Sequence, residues 1–298
     1  MTIRIGANPI GWSNDDMTEL GGHIPLEQCL REAQEAGFVG MELGNKFPRK
    51  SETLKATLAE YGHSLVSGWY SSELLIRRVE DELVHLRPHL DLLKDCGADV
   101  LVFAETSNAV HGDIDTPLSK RPVLKDEDWV EFGKRVTEIG NATLAEGVRL
   151  VYHHHMGTVV QSEEDIHNFM RVTGQSVHLL LDTGHATWAG ADPAALAARY
   201  KNRISHVHTK DVRPEIMEKA TDEKMSFLEA VIAGVYTVPG DGMIDFVSTL
   251  KELQGYQGWV VVEAEQYSDE ISALSFAKLG YANLVSYLQQ AGLLEKAA

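Results

Sequence analysis

Cysteine is scarce in this chain of 298 residues, which carries only Cys29 and Cys96. Both fall in helix-like segments without metal-type spacing. That excludes a disulfide framework and a thiolate metal centre, and it leaves two reduced structural thiols of the kind that favour the cytoplasm. Long apolar runs are missing too, so no segment is expected to span a bilayer. The opening Met1-Thr2-Ile3-Arg4-Ile5-Gly6 goes straight into a strand-like run, without a charged leader, an apolar stretch and a small-residue cleavage site. Basic residues are in deficit, with 27 Lys and Arg against 44 Asp and Glu and a formal net charge of −17. A protein that holds nucleic acid through its phosphates needs the opposite balance. The partner this composition suits is a neutral small molecule, and it leaves a homo-oligomer open. The Gly-rich first turn of a dinucleotide-binding sheet is lacking as well, since Gly6-Ala7-Asn8-Pro9-Ile10-Gly11 does not match that fingerprint.

What is present is an end-to-end alternation of short apolar runs and amphipathic stretches. The runs predict strands at Ile3–Ala7, Phe38–Leu43, Ser64–Trp69, Val100–Ala104, Arg149–His153, His178–Asp182, Ile204–His208 and Trp259–Glu263. Helices are expected at Leu26–Ala36, Ser51–Tyr61, Glu80–Cys96, Asp126–Glu146, Glu163–Thr173, Pro193–Tyr200, Ile244–Leu253 and Ile271–Gln290. Gly37, Gly62, Gly97 and Gly147 each follow a helix, where a left-handed cap is expected. Eight strand–helix pairs with short returns imply right-handed crossovers closing one α/β domain, a (β/α)8 TIM barrel spanning residues 1–298. Two returns are long, Glu105–Lys125 and Asp211–Asp241, and long loops at the C-terminal face of a barrel carry lids and specificity elements.

Four of the apolar runs end in residues that bind metals or move protons. They read Val-Tyr-His-His-His (151–155), Leu-Leu-Asp-Thr-Gly-His (180–185), His-Val-His-Thr-Lys-Asp (206–211) and Val-Val-Val-Glu-Ala-Glu (260–265). Strand alternation turns His153 and His155 to one side and His154 to the other. Barrel closure brings these strand ends to one mouth, so a strand-five histidine, Asp182, His208 and Glu263 form a candidate site for one divalent metal. His185 is a candidate for substrate contact or proton transfer, and His206 for support of a ligand from below. Lys210 and Glu105 join His155 and His185 as candidate acids and bases, with the roles not allotted. Asn8, Trp12, Asn14, Glu42 and Trp69 cluster at other strand ends as amide, carboxylate and indole groups for a polyol. Asn14 and Asp15 have a second reading as helix caps, and Val238–Gly242 reads mainly as a turn.

With these motifs in place the chain resembles the xylose isomerase-like superfamily of sugar isomerases, epimerases and endonuclease IV relatives. Within it the resemblance is to the inosose dehydratase family of bacterial inositol catabolism. The Asp–His and Glu segments are shared across the superfamily, whereas Pro9-Ile10-Gly11-Trp12 and His153-His154-His155 are specific to the dehydratases. The resemblance implies metal ligands at Asp182, His208 and Glu263. The superfamily's strand-five Glu is replaced here by the triple histidine, with His153 in the Glu column and His155 as the fallback. It also implies Mn²⁺ or Co²⁺, a glutathione requirement that no residue pattern here explains, and loss of water from a polyol ketone to give a dione. A positioned acid must then protonate the leaving hydroxyl, and His155 or His185 is nominated. An isomerase or epimerase on the same site is the alternative. A nuclease would need a basic groove, and a non-catalytic sugar-binding barrel would have no use for acids and bases beside a metal.

Overall fold

Leu179-Leu180-Leu181 and Val260-Val261-Val262 are apolar at every position, the pattern of parallel strands covered on both faces. In the computed structural model, which describes residues 3–265 and 272–295, they lie in a closed barrel. The elements run β1 (Arg4–Ala7), α1 (Leu26–Ala36), β2 (Gly40–Leu43), α2 (Ser51–Glu60), β3 (Ser64–Ser72), α3 (Val79–Asp95), β4 (Val100–Glu105), α4 (Asp128–Ala145), β5 (Arg149–His153) and α5 (Glu163–Val172). They continue with β6 (Val177–Asp182), α6 (Thr183–Trp188), α7 (Pro193–Tyr200), β7 (Ile204–Thr209), β8 (Asp211–Val212), α8 (Pro214–Asp222), α9 (Phe227–Ile232), β9 (Tyr236–Thr237), α10 (Phe246–Lys251), β10 (Trp259–Val262) and α11 (Ala273–Gln290). The barrel strands are β1 to β7 and then β10, which closes against β1. β8 and β9 form a separate antiparallel ribbon above the barrel mouth. No described helix is long and apolar enough to cross a membrane.

The expected (β/α)8 architecture is therefore present, with differences at the edges. β3 runs on to Ser72 because Trp69 to Ser72 pair with Val102 to Glu105. β10 stops at Val262, leaving Glu263 one residue beyond the ladder. α10 starts at Phe246 because the Asp245 side chain accepts from Ser248 N–H at 3.0 Å and caps it there. Ile271, the expected start of the last helix, lies outside the described residues. The short helices α6, α8 and α9 were not expected, since six to nine residues are too few to display a helical period. Gly37, Gly62, Gly97 and Gly147 all have positive φ, as their capping role requires.

Inside the barrel, side chains stack in layers. One cluster holds Val66, Trp259 and Val261, and another holds Val100, Val102, Val151 and Leu180. Trp259 fits because its neighbours lack side chains. A Cβ at Gly40 would lie 2.5 Å from Trp259 Cη2 and 2.6 Å from Val66 Cγ2. Gly40→Ala should therefore cost about 1–3 kcal/mol by overpacking, read as a lowered Tm, with the mouth chemistry retained at temperatures where the protein is folded.

One histidine low on the sheet couples stability to pH. His178 on β6 has Nδ1 2.7 Å from Ser205 Oγ, and burial with Arg149 and Arg203 nearby lowers its pKa from 6.5 to about 4. The unfolded chain takes up this proton near pH 6.5 and the folded chain only near pH 4. Stability present above pH 6.5 is thus lost as pH falls through that window. At a half-buried site the effect is about 1 kcal/mol or less after solvent screening. Urea melts at pH 7 and pH 4.5 should show His178→Gln losing correspondingly less stability on acidification.

Candidate metal centre and active site

The inward rows of the lower layers continue upward at alternate positions. Val151 leads to His153, Leu180 to Asp182, and Val261 to Glu263, while Asp182 and Val261 both stand opposite His208 in the ladder. The four polar side chains are buried, and one ligand atom from each lies within 4.8 Å of the others. His153 Nε2 is 3.6 Å from Asp182 Oδ2, His208 Nδ1 is 3.5 Å from the same oxygen, and His208 Nδ1 also meets Glu263 Oε2.

Local bonding turns each free atom toward this centre. His153 Nδ1 lies 2.7 Å from the His154 carbonyl, which accepts its proton and leaves the Nε2 lone pair free. His208 Nε2 faces Glu42 Oε1 at 3.2 Å, so Nδ1 is the nitrogen turned toward the centre. Asp182 divides its carboxylate: Oδ1 accepts from His185 N–H at 2.8 Å as the cap of α6, while Oδ2 has no hydrogen-bond partner among the described residues. His208 Nδ1 and Glu263 Oε2 are likewise buried, in contact with each other but without a hydrogen-bond partner among the described residues. Orphaned polar atoms at such depth are costly unless something charged binds them. Two imidazole nitrogens and two carboxylate oxygens suit a divalent metal, so this set fits the ion. Burial opposes a charge on His208, but Glu263, Glu42 and Asp182 around it raise its pKa well above 6.5. The cluster thus calls for a cation.

Support comes from below. Glu42 Oε1 accepts from His206 at 2.8 Å as well as from His208 and Ser67, and Oε2 accepts from Asn8 Nδ2 at 2.7 Å. Burial works against its ionisation, yet His208 and His206 hold its pKa well below 4.5. Glu42 and Asn8 line the mouth cavity, but their polar atoms are already engaged, so they orient His208 more than they offer themselves to a ligand.

The mouth encloses a cavity of about 230 Å³, lined by His153, His208 and Glu263 below and by Trp69, His155 and His111 at the side. Asp15, Asp16, Asn45 and Arg49 face it from the loops after β1 and β2. The Trp69 indole stands edge-on to His153 and His155, with ring centroids 5.3 and 5.6 Å away. His155 Nδ1 is 2.7 Å from the Met156 carbonyl, so Nε2 keeps its lone pair. Burial, with His111 nearby, lowers the His155 pKa well below 6.5 and leaves a neutral ring. His185 packs behind it at a centroid distance of 3.8 Å, under Phe227 and Tyr236, and is not part of the cavity lining. Lys210 is wholly buried beside His185 and Glu265 and does not line the cavity either.

The sequence pattern of the xylose isomerase-like TIM barrel matches residues 30–289. The chain belongs to that family. It is 47% identical over 98% of its length to the rhizopine catabolism protein MocC of Rhizobium meliloti, covering 90% of that protein. It is 46% identical over 89% of its length to an inosose dehydratase of Geobacillus thermodenitrificans, again covering 90%. Among solved structures it superposes on the IOLI protein with a bound zinc atom at a TM-score of 0.68 and 15% identity, covering 98% of this chain and 100% of that one. The family fold is also seen in the probable 3-DHS dehydratase AsbF of Bacillus anthracis, at a TM-score of 0.69 and 13% identity, covering 95% and 98%.

Set on the family barrel, three of the expected contacts need correction. Trp12 is a core residue: it follows the 3-10 turn Pro9–Gly11, is 5% exposed, and its indole N–H donates to Glu32 Oε2 of α1 at 2.8 Å. Asn14 spends its side-chain oxygen on the Asp16 and Met17 amides at 2.8 and 2.7 Å, closing a turn. Glu105 is buried outside the cavity, where its oxygens accept from Leu74 N–H at 2.7 Å and Ser107 N–H at 2.8 Å and staple β4 to the end of β3. In the Val238–Gly242 segment the turn reading matches the structure, with Asp211 accepting from the Gly240 and Gly242 amides at 2.9 and 3.0 Å. Sequence reasoning gave no role to His111, Asn45 or Arg49. The only signal for His111 was its place in the long loop after the fourth strand.

Proposed function

We propose that the protein is a metal-dependent hydro-lyase that removes water from inosose (2-keto-myo-inositol), giving a trihydroxycyclohexane-1,2-dione in inositol catabolism. The observation that carries this reading is the convergence of ligand atoms from His153, Asp182, His208 and Glu263 beneath a polyol-sized cavity, with those on Asp182, His208 and Glu263 lacking hydrogen-bond partners among the described residues. Relatives named inosose dehydratase, 41–46% identical over most of the chain, supply the substrate and the reaction. The metal we assign is Mn²⁺ or Co²⁺. When bound, the ion supplies Lewis-acid polarisation of the substrate ketone. Glutathione is assigned on the family resemblance alone, and no cluster among the described residues marks a site for it. The substrate is then a small polyol ketone met in the cytoplasm, with neither nucleic acid nor membrane as a partner.

The chain's own residues account for the proton traffic. Trp69 offers an apolar ring face, and Asp15, Asp16, Asn45 and Arg49 offer hydrogen bonds to the hydroxyls. His155 Nε2 takes the proton from the carbon beside the ketone, since it faces the cavity with its lone pair free. The electron pair left behind forms the carbon–carbon double bond as the β-carbon–oxygen bond breaks. His155, now protonated, returns the proton to that departing hydroxyl, which leaves as water, and the enol product tautomerises to the dione. His185, Lys210 and Glu105 position their neighbours instead of touching substrate.

The test is an ultraviolet assay for dione formation from inosose with chelator-treated and metal-loaded protein. Dione should form only with metal present. Formation of an isomeric or epimeric ketone in its place would overturn the reading.

A further inference from the structure

A second cluster of metal-type side chains lies beside the first. His155, His185 and Glu265 are all buried and each has a ligand atom within 4.8 Å of the others. A divalent ion could be gathered there, but a positive charge already stands against the cluster. Lys210 Nζ contacts Glu265 Oε1, lies 3.0 Å from His185 Nε2, and has Glu263 Oε1 at 3.5 Å and Asp182 Oδ2 at 3.8 Å. The Nδ1 of the His185 ring is already occupied by the Met156 amide at 3.2 Å and the Tyr236 hydroxyl at 2.9 Å, so Nε2 is the nitrogen that faces the cluster, and the ammonium stands against it.

We propose that the Lys210 ammonium is a built-in second cation, taking the place of a second divalent metal between His185 and Glu265 and thereby keeping the centre mononuclear. This rests on reading the first cluster as the metal centre.

An independent feature shows that the lysine is built in. Its stem lies flat on Gly184, where a Cβ would meet Lys210 Cγ at 2.7 Å and Cβ and Cδ at 2.9 Å. Position 184 must therefore lack a side chain for the stem to pass. The residue is fully buried, and the carboxylates of Glu263, Glu265 and Asp182 close around its Nζ. Tyr236 closes the far side, with Nζ 4.6 Å from its ring centroid. The consequence is an asymmetric pair of cations: one exchangeable ion at the cavity and one fixed charge behind it, which leaves His155 Nε2 free.

Lys210→Met keeps the stem over Gly184 and vacates the Nζ position. On dialysis against Mn²⁺, bound metal should rise from about one to about two ions per chain, and the electron paramagnetic resonance spectrum should show a spin-coupled pair. Adding Glu265→Gln to that variant should return the count to about one, as should Lys210→Arg alone. A folded Lys210→Met protein that still binds one ion would overturn the inference, and so would wild-type protein that binds two at saturating Mn²⁺, a measurement that does not depend on the variant folding. Wild-type protein that binds none would instead defeat the first-cluster reading, which separates the two failures.

Discussion

Asp182→Asn and Glu263→Gln should each strip the protein of stoichiometric metal and lower kcat/KM for inosose by about 10³-fold or more. The fold should persist in Asp182→Asn because an asparagine oxygen can still accept from His185 N–H and cap α6, as Asp182 Oδ1 does at 2.8 Å. What disappears is charge on the other oxygen, the one with no hydrogen-bond partner among the described residues. Loss of Lewis-acid polarisation is worth several kcal/mol, and about 4 kcal/mol is a factor of roughly 10³. Metal analysis and circular dichroism on the purified variants decide the matter. Full occupancy in both would show that the orphaned atoms serve something other than an ion.

His155→Gln should lower kcat by about 10²- to 10⁴-fold, the usual contribution of a positioned acid–base group, with metal content unchanged. His155 is singled out over His185 because it lines the cavity, while His185 is held by Lys210 on one side and the Tyr236 hydroxyl, 2.9 Å away, on the other. If His155 takes the proton beside the ketone, exchange of that proton with deuterated solvent should fall in step with dione formation. Exchange that persists while dehydration stops would confine His155 to protonating the leaving hydroxyl.

The barrel and the convergence of a strand-five histidine with Asp182, His208 and Glu263 were legible in the sequence for one physical reason. Inward-facing residues recur at every second position, and barrel closure collects the last of each row at one end, so Val151 points to His153 and Leu180 to Asp182 without any knowledge of loops. The same rule explains Glu105. Val100 and Val102 are the inward residues of β4, which gives Glu105 the opposite parity and turns it away from the cavity. Trp12 and Asn14 were misread because they lie past the strand, where turn geometry and not strand alternation decides direction. Pro9–Gly11 winds Trp12 toward α1, and Asn14 folds back on its own turn. His111, Phe227 and Tyr236 arrive on the two long loops, whose length announced a function but whose path over the mouth depends on contacts made across the whole barrel.

The most direct test of the account is nuclear magnetic resonance of inosose with metal-loaded protein in deuterated water. Loss of the ketone with growth of dione signals, and no epimerised or isomerised ketone, is the predicted result. Exchange of the proton beside the ketone with return of only epimerised or isomerised ketone would contradict the dehydratase reading and leave an isomerase on the same site.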